Sequence, residues 1–350
     1  MCSRRNSANS ARGASGLSGV LLVDKPAGPT SHDVVARVRR ATGERRVGHA
    51  GTLDPMATGL LVVLVGPATR LAPWFTSGTK TYQAVIAFGA ETDTDDSEGE
   101  IVRRSEVSAS ALCLDEARAV ATSFIGCQSQ VPPAFSAIKK EGVVAHRAAR
   151  KGNALELEPR EIEVHRFDVI SVDTAEAFWN CELEVSKGTY VRAIARDVGR
   201  RCGSAAHLAA LRRTRSGACD ICDACSLDEI EAASCRTGGG GTEGTGGTGG
   251  AGGGVGALFA DPLAVLSLPI MQVSSQGAER VGVGAALDCG IHCEGGLLDT
   301  PSTGEVALAR GDALLGIYQA FGPRLNARTV IPGGVRASGD TDTFTAEDAS

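Results

Sequence analysis

Residues 238–256 read GGGGTEGTGGTGGAGGGVG, thirteen glycines in nineteen positions. A stretch without side chains has nothing to bury, so any core must be built on either side of it. As a free coil it has an r.m.s. span of roughly 24 Å, at about 5.5 Å × √n. Whether tether or surface-loop insertion, it divides the chain. A body runs over 19–236, the Gly-rich linker or insertion over 237–256, and a smaller tail over 257–335. Residues 1–18 and 336–350 read as disordered extensions. With 43% hydrophobic and 22% charged residues, the remainder suits a globular protein of about two domains.

Charge is as local as glycine. The whole chain carries −6, which taken alone argues against a nucleic-acid partner. Yet residues 19–217 hold 26 basic and 24 acidic side chains, whereas 218–350 hold 6 and 17. Two blocks are dense in arginine: 37–46, with five Arg against Glu44, and 187–215, with eight Lys/Arg against Asp197. Screening confines each charge to about a Debye length, roughly 8 Å in physiological salt, so local density decides what a phosphate meets. Such blocks equally make solvated helix faces. No run of about 18 apolar residues is present to span a bilayer. The opening MCSRRNSANSARGASG lacks the apolar stretch of a secretory signal, and eleven cysteines without one point to a reducing, cytoplasmic setting.

Periodicity supplies the elements. GVLLVDK reads as a strand running into a turn, and Thr30 with Asp33 makes a capping box for a helix carrying Val34, Val35 and Val38. TYQAVIAF and FWNCELEV alternate with period two and read as strands, while 114–126 and 141–151 read as helical. From 191, Val191, Ile194, Val198 and Cys202 share one helical face, and Arg192, Arg196 and Arg200 form an i, i+4, i+8 stripe on another. In the tail, VALARG, ALLGIYQAF and RTVI look like strands and SQGAERVGVG like a helix. Strands and helices mix without regular βαβ alternation, which makes the fold class α+β.

Arg46–Gly59, RVGHAGTLDPMATG, is the densest unusual segment. Asp54-Pro55 suits a helix N-cap followed by proline at the first helical position, and the same aspartate suits catalysis. The acidic loop Asp93, Asp95, Asp96, Glu98 lacks the spacing and closing bidentate glutamate of a calcium-binding loop, and reads as solvated. Cys219, Cys222 and Cys225 form CxxCxxC, with Cys235 ten residues on. There is no second CxxC and no histidine within 219–235, so ordinary thiols are expected and no metal. Ser186–Arg192 is a glycine-bearing turn feeding the arginine-striped helix, and Leu211–Arg215 closes the basic block. Arginines so placed clamp phosphate or partner a buried carboxylate.

Four blocks in this order resemble one family: GVLLVDKPAGPTSHDVVARV at 19–38, RVGHAGTLDPMATGLLVVLVGPA at 46–68, Lys80–Gly99 with Gln130–Gly152, and Ser186–Gly217. Together they are similar to the bacterial TruB family of tRNA pseudouridine synthases, and the GHxGTLDPxAxG block is highly specific. The resemblance implies a mixed, mainly antiparallel sheet flanked by helices, with the active site in a basic cleft. The tail, beyond the four blocks, looks like the small β-rich, PUA-like module that follows many such synthases, or else a degenerate packing domain. It implies isomerisation of the T-loop uridine at position 55 of tRNA to pseudouridine. By the same match Asp54 is the catalytic aspartate, Tyr82 the active-site tyrosine and Arg192 the arginine paired with that aspartate. Leu211 lines the uracil pocket, His49 meets the RNA, and Lys25-Pro26 is the family's DKP turn. Tyr190 and Arg212, beside these, complete the expected substrate-binding set. Phe135 and His146 depart from the family, each standing where tyrosine is usual.

That isomerisation breaks N1–C1′, turns the base and joins C5 to C1′ without redox change, so no cofactor and no metal is expected. One carboxylate suffices, as nucleophile at the sugar or base, or as the base that removes a sugar proton. A uridine inside a folded arm must be flipped out, at a cost of a few kcal/mol. The expected partner is the T arm of tRNA, met by a monomer, with neither DNA nor membrane involved. Two other readings compete: a chaperone that folds tRNA without catalysis, and an isomerase of another RNA. The trio Asp54, Tyr82 and Arg192 favours the enzyme, since a pure binder has no use for it.

Overall fold

The computed structural model describes residues 15–140, 142–153, 155–237, 254–294 and 303–337. Most of the expected linker and of both terminal extensions lies outside the described residues. At their margins, Leu17 packs on the core, Ser18 is buried, and Val255–Leu258 forms a short 3-10 helix with Val255 buried.

A ten-stranded sheet forms the body. Its order is Cys225–Ser226, Gly19–Lys25, Thr58–Val65, Ala206–Ser216, Lys80–Phe88, Phe178–Val185, Arg160–Asp173 and Gly126–Gln130, with Val47–Ala50 and Cys219–Asp220 appended. Two of its described pairings are parallel, Gly19–Lys25 with Cys225–Ser226 and Thr58–Val65 with Ala206–Ser216. The others are antiparallel, as the α+β expectation requires.

Hydrophobic patterning explains where each strand sits. Phe178–Val185 alternates and buries Trp179, Cys181, Leu183 and Val185 on one face. Gly19–Lys25 and Thr58–Val65 are almost unbroken apolar runs because both faces are covered. Leu21, Val23, Leu61, Val63 and Val65 face the core beneath the helices. Val20, Leu22, Leu60, Val62 and Leu64 face a second core shared with Leu71, Phe75 and the C-terminal sheet residues Ala307, Leu314, Ile317 and Ile331.

That second sheet runs in the order Ile270–Gln272, Thr303–Arg310, Ala313–Phe321, Arg324–Val335 and Leu287–Asp288, so the strand-like segments of the tail are strands. Polar ties reinforce the junction: Trp74 Nε1 donates to Glu305 Oε2 at 2.8 Å, and Arg70 Nη1 to the Val330 carbonyl at 2.6 Å. No described helix is long and apolar enough to cross a membrane.

Helix Ser31–Thr42 starts at the expected Thr30–Asp33 capping box and ends at Gly43 in the left-handed region. The helix expected over 141–151 contracts to Ala145–Ala149, because Lys139–Lys140 and Val143–Val144 pair as a small hairpin. Asp54 caps no helix. Ala57 N donates to the Asp54 carbonyl at 3.1 Å in a turn, and the apolar run beyond is the doubly buried Thr58–Val65 strand.

Candidate active site

The chain leaves strand Val47–Ala50, reverses through Gly51 and Asp54, and re-enters the sheet at Thr58. Three buried side chains pin this loop. Ser31 Oγ accepts from Leu53 N and donates to the Leu53 carbonyl, both at 2.9 Å. Lys25 Nζ donates to the carbonyls of Pro26 at 2.9 Å and Pro55 at 3.1 Å. Arg213 donates from Nη2 to Gly51 O at 3.0 Å and from Nε to Leu60 O at 2.7 Å. Lys25 and Arg213 are 0% and 1% exposed, so neither presents its charge to a ligand's phosphate. Burial lowers the Lys25 pKa, against the opposing charges of Asp54 and Glu98.

Held in this way, the Asp54 carboxylate meets Arg192 side-on. Arg192 Nε lies 2.9 Å from Oδ2, and Nη2 donates to Oδ1 at 3.2 Å. The guanidinium also donates to Thr94 O at 2.9 Å and Phe135 O at 3.0 Å, and Nη1 lies 3.4 Å from Asp96 Oδ2. Its side chain is 6% exposed, whereas that of Asp54 is 33% exposed: the acid can be reached and its partner cannot. Burial pushes the Asp54 carboxyl up, Arg192 pulls it down, and Asp96 pushes it up again. The balance stands above the usual carboxylate range.

Tyr82 and Leu211, each 8% exposed, belong to the same apolar core as Leu53 and lie on adjacent strands. Tyr190 precedes helix Val191–Arg201 and is clamped by Gln130, whose Oε1 accepts from Tyr190 N at 2.9 Å while Nε2 donates to Tyr190 O at 3.1 Å. Burial raises the Tyr190 phenol, opposed by its hydrogen bond with Ser136 and the charges of Arg160 and Arg192. His49 is half-buried on Val47–Ala50 with Nδ1 unpartnered. Burial, then the Arg213 and His32 charges, lower its pKa, so the ring is neutral at pH 7. Arg212 is committed to Asp24 through two bonds of 3.0 and 2.7 Å. At the two departures, Phe135 contributes its backbone carbonyl to Arg192, and His146 bonds the Ser136 carbonyl through N at 3.0 Å and Nδ1 at 3.1 Å.

The acidic loop is solvated only in part: Asp93 and Glu98 are exposed, as the sequence reading has them, but its middle is not. Asp95 and Asp96 are 7% and 3% exposed, because the arginine stripe faces them. Arg196 Nη1 donates to Asp95 at 2.9 Å, and Arg200 binds Glu91 through two bonds of 3.0 Å. Of the 187–215 block, Arg192, Arg196 and Arg213 are buried, whereas Lys187, Arg200, Arg201 and Arg215 are exposed, Arg200 and Arg215 while paired with Glu91 and Asp220. Of the other block, Arg37 pairs with Glu231, and Arg40, Arg45 and Arg46 are exposed. The sequence signal for this network was the stripe itself, matched by a comparable run of acids elsewhere. The cysteine cluster divides into three settings: Cys219 is buried and its thiol pushed to about 12 by burial, Cys222 is exposed, and Cys225 Sγ donates to Leu22 O at 3.3 Å.

Residues 39–191 match the TruB family pseudouridylate synthase N-terminal domain, and 192–242 match the tRNA pseudouridylate synthase B C-terminal domain. The tRNA pseudouridine synthase B of Opitutus terrae is 49% identical over 198 residues, 57% of this chain and 80% of that protein. The tRNA pseudouridine synthase B of Thermobifida fusca is 52% identical over 207 residues, 57% of this chain and 69% of that protein. In fold, the chain is similar to one in an H/ACA RNP bound to a substrate RNA containing 2′-deoxyuridine, with TM-score 0.63 and 21% identity over 94% of this chain and 92% of that one. By its sequence, the chain belongs to the TruB family of pseudouridylate synthases.

Proposed function

We propose that this chain isomerises uridine to pseudouridine in tRNA, at T-loop position 55, with Asp54 as the catalytic group. The observation that carries the reading is the reachable Asp54 carboxylate, gripped by a buried arginine on a loop pinned from three sides. In either role open to it, nucleophile or base, Asp54 works ionised. Burial opposes that state and Arg192 supports it, which gives the guanidinium a purpose that phosphate binding would not. Tyr82 and Leu211 supply an apolar surface for the flipped uracil. The neutral His49 ring fills the vacated stack, offsetting part of an unstacking cost of a few kcal/mol. Arg40, Arg45 and Arg46 are the exposed charges that meet phosphates of the folded arm. The enzyme acts as a cytoplasmic monomer.

Incubating an unmodified tRNA transcript with wild type and Asp54→Asn, then mapping pseudouridine, tests this directly. Wild type places one pseudouridine in the T loop. Asp54→Asn places none while its tRNA Kd stays within about threefold. Turnover by the variant would remove Asp54 from the chemistry, and a product elsewhere in the RNA would remove the T-loop assignment.

A further inference from the structure

Helix Val191–Arg201 presents three arginines to three acidic groups in turn, and the middle rung has no assigned task. Arg196, 9% exposed, donates from Nη1 to Asp95 Oδ2 at 2.9 Å, from Nε to Asp197 at 2.9 Å and from Nη2 to the Val131 carbonyl at 3.0 Å. It thereby ties the loop that carries Thr94 and Asp96 to the segment that carries Phe135. These three residues supply the oxygens that Arg192 uses besides Asp54. Asp95 is itself fixed: its φ is +61°, and its carbonyl accepts from Leu208 N at 3.0 Å.

We propose that Arg196 and Asp95 are a positioning pair for the Asp54–Arg192 site, setting where Thr94, Asp96 and Phe135 meet the Arg192 guanidinium. The proposal rests on the isomerase reading above. Energetics separate this rung from the next. Burial outweighs Arg196 at Asp95 and leaves its carboxyl at about 6. At Glu91 burial is overcome by Arg200 and Arg103, which hold the acid at about 2. We therefore expect the Glu91 rung to contribute more to stability than the Asp95 rung, whose part in the proposal rests on its geometry.

Asp95→Asn, Arg196→Lys and Glu91→Gln in the full chain test this by single-turnover rate on a tRNA transcript, tRNA Kd and urea midpoint. Asparagine tolerates the left-handed backbone, so Asp95→Asn removes charge without strain. We expect Asp95→Asn to slow isomerisation about 10- to 100-fold with Kd within about twofold, and Arg196→Lys to slow it less. Glu91→Gln lowers the urea midpoint most and leaves the rate within about twofold. An unchanged rate in Asp95→Asn, or rates that simply follow stability across the three, overturns the proposal. Asp54→Asn is the control: its retained turnover defeats the isomerase reading, whereas an inactive Asp54→Asn beside a fully active Asp95→Asn defeats this inference alone.

Discussion

Arg192 shows how much one side chain is asked to do. A guanidinium offers five N–H donors in a fixed fork, and here they face Asp54, Asp96 and the carbonyls of Thr94 and Phe135. Lysine would bring one point charge and could not span that set. The charge matters separately from the bonds. Asp54 stands above the ordinary carboxylate range because burial outweighs the pull of Arg192, so the ionised fraction falls as pH drops through that raised value. Arg192→Gln removes the pull and lifts Asp54 further. The acid limb of the single-turnover rate, followed from about pH 5 to 9, should begin at higher pH in this variant, with the plateau lowered by about 100-fold or more. An acid limb in the same place would mean that Arg192 does not govern the Asp54 charge.

At the scale of the element, the Asp54 loop is only as good as the strands that flank it. Gly59 sits at φ 96°, and a Cβ there would lie 2.3 Å from the Arg213 carbonyl oxygen, in the parallel pairing of Gly59 with Arg213. Gly59→Ala must part the two strands, so we expect a loss of roughly 2–4 kcal/mol by urea unfolding, with activity falling alongside. A midpoint equal to wild type would show that the strands have slack there. Much of this scaffold was legible beforehand. The alternation of FWNCELEV and the Thr30–Asp33 box each reported a local pattern that local physics decides. The Leu60–Val65 run did not, since an apolar run buried on both faces carries no period, and Asp54 passed for an N-cap because Asp-Pro serves both uses. The burial of Asp95 and Asp96 was hidden for another reason. It depends on arginines about a hundred residues away, and a cluster of acids looks solvated until its counter-charges arrive. The same separation hid that Arg192 and Arg196 turn inward to these acids.

The whole molecule is joined through the back of the main sheet. Val20, Leu22, Leu60, Val62 and Leu64 share a core with Leu71, Phe75 and the C-terminal residues Leu314, Ile317 and Ile331, so neither sheet completes its burial alone. Strand Thr58–Val65 thus has the Asp54 loop at one end and, through Gly66–Leu71, the junction at the other. Two tryptophans report on this arrangement: Trp179 is fully buried in the main core and donates to Ala111 O at 2.7 Å, while Trp74 lies at the junction against Glu305. If the shared core couples the sheets, fluorescence of each single-tryptophan variant, Trp74→Phe or Trp179→Phe, loses its native signal at the same urea midpoint as the far-UV circular dichroism of that variant. Ile331→Ala, although in the second sheet, should lower both transitions together by about 2–4 kcal/mol, the usual range for emptying a buried isoleucine site. A Trp74 signal that melts ahead of the Trp179 signal would mean that the C-terminal sheet detaches first and the main sheet holds its strand without it.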